Sequence, residues 1–148
     1  MDRVSDRVRR VSPADTNHQI WEETAARLRA VGSNRAAIAT RLDELEREWD
    51  VERALFALSS INLLLGLTAG ARSARWLAWP VTVAAFQFQH AVQGWCPPVS
   101  LLRRLGVRTR QEIDSERVAL KALRGDFIDT AAAGGPRDAD RALAAATR

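Results

Sequence analysis

The sequence predicts an all-α fold: a two-helix transmembrane hairpin with N-terminal polar helices and a C-terminal amphipathic helix. Three observations carry this. Residues Ala54 to Ala71, ALFALSSINLLLGLTAGA, contain no Asp, Glu, Lys or Arg; a second uncharged run extends from Trp76 to Leu102; and only Arg72, Ser73, Ala74 and Arg75 separate the two. At about 1.5 Å per residue the first run is roughly 27 Å long as a helix, close to the ~30 Å hydrocarbon thickness. The second is too long for one span. Pro97 and Pro98 are expected to stop it near Cys96, because proline lacks an amide and biases its predecessor away from helix.

Charge is dense outside these runs. Met1 to Arg53 holds ten basic and eleven acidic residues, and Arg103 to Arg148 ten basic and seven acidic. The arm MDRVSDRVRRVSPAD reads as mobile, with a Ser-Pro turn. Two polar helices follow, Asn17 to Val31 and Ser33 to Asp50, broken at Gly32, with Ser33 as the N-cap of the second. In that helix Ile38, Leu42, Leu45 and Trp49 make one apolar stripe. Past the prolines, Thr109 with Glu112 has the spacing of a capping box opening a helix through about Arg124, with Ile113, Leu120 and Leu123 on its apolar side and Gly125 ending it. The expected organisation is residues 1–50 as arm and polar helices, 51–108 as the hairpin with spans at about 54–71 and 76–95, 109–128 as a cytoplasmic helix, and 129–148 as a disordered tail.

Tryptophans mark the span ends: Trp49 before the first, Trp76 and Trp79 by the turn, Trp95 at the far end. Amphipathic rings favour the membrane–water boundary. Arg41, Arg47, Arg53, Arg103, Arg104, Arg108 and Arg110 flank the termini against Arg72 and Arg75 in the turn, which places both termini in the cytoplasm. A soluble bundle with both runs as core helices is the alternative. The flanking helices, however, present stripes too narrow to cover two such helices.

Gln87, Gln89, His90 and Gln93 share one side of the second run. Polar groups in lipid need partners, and Ser59, Asn62, Gly66 and Gly70 offer a matching side of the first. Gly66 to Gly70 is a GxxxG, which allows close approach of helices. These residues are therefore candidates for helix packing, within the hairpin or across a dimer, with His90 expected to hydrogen-bond to Asn62 or a glutamine.

One cysteine excludes an internal disulfide, and two histidines do not furnish a zinc site. No phosphate loop, paired catalytic carboxylates or nucleophilic triad is evident, so neither a metal nor a cofactor is expected. No cleaved export signal is read in the first thirty residues. The candidate thiol is Cys96, where the start of the next segment with Arg103 and Arg104 could lower its pKa; its other role is packing beside Trp95.

GWCPPVSLLRRLGVRT, followed by RQEIDSERVALKALRGDF, resembles the YgaP-like transmembrane domain family of small bacterial inner-membrane proteins. Gly94, Cys96 and Pro97 match that family's Gly-x-Cys-Pro motif, followed here by LLRRLGV, and the resemblance covers about Val51 to Arg108. It implies an integral inner-membrane hairpin, dimeric, with no assigned reaction. The rhodanese domain to which such hairpins are fused has no counterpart in this sequence. The expectation is a non-enzymatic scaffold or anchor that self-associates as a homodimer, its partners the lipid bilayer and an unidentified cytoplasmic or membrane protein. A membrane thiol protein using Cys96 in redox or persulfide handling is the alternative; a soluble basic nucleic-acid-binding bundle is a weaker third.

Overall fold

The computed structural model describes residues 3–128, with side chains from residue 7 onward. The expected tail at 129–148 lies outside the described residues. Seven α-helices and one short 3-10 helix are described: α1 Arg3–Val11, α2 Ala14–Val31, α3 Arg35–Arg47, α4 Val51–Gly70, the 3-10 helix Ala74–Leu77, α5 Ala78–Gln93, α6 Pro97–Arg104 and α7 Arg110–Arg124. No strand occurs among the described residues, and the fold is all-α.

The helices sort into two compact units interleaved in sequence, one of residues up to 21 with 49–112 and one of 22–48 with residues from 113 onward. The second unit is built on the expected stripe. Ile38 and Leu45 of α3 are buried with Ile113 and Leu120 of α7, and Leu28, Val31 and Leu42 pack against them. Charges close its flank: Arg41 donates to Glu116 at 2.8 Å and to Glu44 at 2.8 Å, and the carboxylate of Glu116 is itself buried. These acids, led by the Glu116 hydrogen bond, push the Arg41 pKa upward. Leu123, expected on the apolar side of α7, is exposed instead, while Lys121 is buried.

In the first unit Val8, Val51, Leu55, Cys96 and Val99 form the core, joined by Leu102 and Val107. Here the expected mobile arm is a helix. Val4, Val8 and Val11 recur at helical spacing, Val8 is fully buried, and Arg7 donates to the Val92 carbonyl at 2.9 Å.

Several boundaries also differ from expectation. Asn34, not Ser33, caps α3: its side-chain oxygen accepts from the amides of Ala36 and Ala37. Helix α3 stops at Arg47, so Trp49 stands outside it, exposed, with the Arg53 guanidinium 4.8 Å from its ring centroid. Asp50 then caps α4, accepting from the Arg53 amide at 2.7 Å, and the Val51 amide donates to the Arg108 carbonyl at 3.0 Å.

The two uncharged runs do not give two equal spans. Within Arg35–Gly70 one 18-residue window is long and apolar enough to cross a membrane, and only 17% of it is buried. It is the one such helix among the described residues. The expected span at 76–95 is instead a 3-10 helix followed by the 16 residues of α5. What ends α5 is Gly94, in the left-handed conformation at φ 74° with its amide on the His90 carbonyl. Pro97 and Pro98 stop nothing; they open α6, where a missing amide has no cost, with Cys96 as the residue before it.

Candidate functional site

Helices α4 and α5 lie antiparallel. The register follows from three facing pairs: Gly70 with Leu77, Gly66 with Pro80, and Ser59 with Gln87. Pro80 sits in the first turn of α5, where helix tolerates it. A Cβ placed on Gly66 would stand 2.6 Å from Pro80 Cδ, and one on Gly70 would run into Leu77 Cδ2. Both glycines are thus occupied by the seam between these two helices. Lower down, the Ser59 hydroxyl donates to Gln87 Oε1 at 3.1 Å.

The remaining polar residues of the seam do not form one network. Asn62 gives its Nδ2 to the Leu58 carbonyl of its own helix at 2.8 Å. Gln89 is half-buried and Gln93 exposed. His90 is 7% exposed, and neither ring nitrogen has a hydrogen-bond partner among the described residues. The expected bond from His90 to Asn62 or a glutamine is therefore not formed. At 100° per residue the four residues do share a side, and of them Gln87 bonds to α4.

Between the two helices lies a partly open cleft of about 180 Å³, with Pro98 of α6 among its lining. Leu55, Leu58, Trp79, Val83, Phe86 and Pro98 give it apolar walls; Ser59, Asn62, Thr82 and Gln87 bring polar atoms, and Cys96 completes the lining.

Cys96 is fully buried in the hydrophobic core of this unit. Burial pushes its thiol pKa up, against a smaller downward pull from the Val99 amide. Of the two arginines expected to activate it, Arg104 is exposed and Arg103 is engaged elsewhere. Arg103 is 0% exposed and bonds to the Ser12 hydroxyl at 3.1 Å, the Asn17 side-chain oxygen at 2.8 Å, the Val107 carbonyl at 3.1 Å and both oxygens of Glu112 at 2.6 and 2.8 Å. Gly94 and Pro97 take up structural positions beside it. The first closes on Arg7 and Val8, and the second is the first residue of α6.

That arginine hub was not foreseen from sequence. The capping box announced only part of it: Thr109 and Glu112 exchange the reciprocal bonds, at 2.8 Å from the Thr109 amide and 3.3 Å from the Glu112 amide. Burial would raise the pKa of Glu112, but the Arg103 hydrogen bonds, the Thr109 amide and the nearby positive charge outweigh it and hold it below the ordinary value. Ser12 and Asn17 are some ninety residues away in sequence and carried no signal.

No group of three or more potential metal ligands occurs among the described residues. The sequence matches no protein-family model, no curated protein and no solved structure.

Proposed function

We propose that this chain is an integral inner-membrane protein, non-enzymatic, that inserts through α4 and α5 and serves as a scaffold or anchor. The observation that carries the reading is the exposure of its most apolar helix. A core helix of a soluble protein is mostly buried, whereas only 17% of the apolar window ending in α4 is. Phe56, Ile61, Leu64 and Leu65 of α4 and Val81, Phe88 and Val92 of α5 all face outward, Phe88 at 72% exposed. A solvent-facing patch of that extent marks an interaction surface, and hydrocarbon fits these apolar side chains.

Dimensions support it too. The 20 residues of α4 extend about 30 Å. The four 3-10 residues and the 16 of α5 together reach roughly 32 Å at about 2.0 and 1.5 Å per residue, so a hairpin crossing is compatible with the bilayer core. In the antiparallel register Trp76 and Trp79 fall at one end of the pair and Trp49 and Trp95 at the other, as interfacial anchors do. Both termini are assigned to the cytoplasm by the arginine asymmetry, which acts on the chain as it inserts. Self-association as a homodimer completes the reading, with the outer apolar faces as its surface, since Gly66 and Gly70 are already filled within one chain. This accords with the YgaP-like resemblance.

Alkaline carbonate extraction of cell membranes tests insertion. The chain should stay in the pellet, and its release into the supernatant would refute the proposal. Crosslinking in native membranes, read on denaturing gels, should give a band at twice the chain mass, and monomer alone across crosslinker lengths would remove the dimer.

A further inference from the structure

We propose that the cleft between α4 and α5 binds a small hydroxyl-bearing amphiphile whose apolar body is about the size of one ring. Size comes first. An apolar cavity of about 150 Å³ accepts benzene, and this cleft is about 180 Å³. Its walls are mostly Leu, Val, Phe, Trp and Pro side chains, with a few polar atoms set among them, the pattern by which small-molecule sites combine affinity with orientation.

The polar atoms define the ligand's functional group. Ser59 is satisfied by Gln87 Oε1, and Thr82 by the Ala78 carbonyl. Asn62 gives one Nδ2 hydrogen to Leu58, which leaves Oδ1 and the second Nδ2 hydrogen; Gln87 accepts through Oε1, which leaves both Nε2 hydrogens. The two amides thus keep both acceptor and donor capacity. A hydroxyl, which donates one hydrogen bond and accepts another, uses both kinds. A plain hydrocarbon uses neither, and a carboxylate would bring a charge to a lining that holds no cationic side chain. The inference holds whether or not the helices span a membrane, because cleft and amides belong to one compact unit.

The test is the thermal unfolding midpoint of the full chain in mild detergent, followed by circular dichroism, with 4-butylphenol and butylbenzene as probes. Butylphenol should give the same upward shift at about fivefold lower concentration than butylbenzene, the worth of roughly one net hydrogen bond. Asn62→Leu and Gln87→Met should each bring the two probes within about twofold, and Val83→Trp, which fills the cleft, should abolish the shift by both. Helical content confirms that each variant folds, and the wild-type probe comparison stands without them. Equal shifts by the two probes, or no shift by either, would overturn the proposal.

Discussion

Helices α3 and α4 are separated by three residues and handle apolar side chains in opposite ways. Helix α3 keeps one stripe, buries Ile38 and Leu45 against α7, and surrounds them with ion pairs. Helix α4 buries Val51, Leu55, Ser59 and Gly66, the small or lower part of its surface, and turns Phe56, Ile61, Leu64 and Leu65 outward. The first is organised as water-facing helices are, with its apolar residues inside. The second is organised around steric fit between glycine and proline, with bulk outside, as helix pairs in lipid are. The contrast lies in which residues are hidden, not in how apolar each helix is overall.

The largest effect expected from breaking either arrangement falls where charge is buried. Arg103 is fully enclosed and depends on Glu112, so Glu112→Ala should destabilise the fold by about 3–5 kcal/mol by leaving a buried charge unpaired. Chemical denaturation at pH 7 measures it; a loss under about 1 kcal/mol would mean that the pair behaves as a surface ion pair. The pH dependence has a fixed sign. Because the folded pKa of Glu112 lies below its ordinary value, its contribution is complete above the unfolded pKa and is lost as pH falls through the folded one. Glu112→Gln should flatten that acid-side loss.

Next come paired truncations on the two kinds of surface. Leu120→Ala in the core beside Ile38 and Leu45 should cost about 2–5 kcal/mol, whereas Leu64→Ala, at 65% exposure, should stay within about 0.5 kcal/mol in thermal unfolding in mild detergent. Similar losses at both positions would erase the distinction between α3 and α4. A smaller effect belongs to the seam. Gly66→Ala forces a methyl group against Pro80 and should cost about 1–3 kcal/mol as an overpacking change, seen as a lowered unfolding midpoint.

Much of this contrast is legible in the sequence, for physical reasons. Uncharged runs and the charges bounding them are local properties, and so are the Thr109–Glu112 box and the i, i+4 spacing of Gly66 and Gly70. Arg103 shows the limit. Beside Arg104 and near Arg108 and Arg110 it looks like one of a solvated basic group, and nothing local tells which of them tertiary packing will enclose. Its partners are Ser12, from a stretch that reads as a mobile arm, and Asn17, from the start of the polar helix that follows. The end of α5 fails differently: the prolines are strong stop signals, but Gly94 three residues earlier adopts the left-handed turn first, and the prolines then serve as starts.

The mildest prediction concerns a residue choice that propensity leaves nearly even. Ser33 and Asn34 are adjacent, both are favoured N-cap residues, and Gly32 precedes them with a positive φ that ends α2. The chain after that turn needs one extended residue before helix, and Asn34 supplies it at φ −71° and ψ 105°, with Oδ1 accepting from two amides at 3.1 and 3.2 Å. Asn34→Ala should therefore cost about 1 kcal/mol, while Ser33→Ala should change stability by less than about 0.5 kcal/mol. Both are exposed, so neither value is confounded by a cavity. Thermal melts of the two variants side by side decide between them. The reverse order would mean that α3 begins one residue earlier and that Ile38 and Leu45 meet α7 through a differently wound first turn.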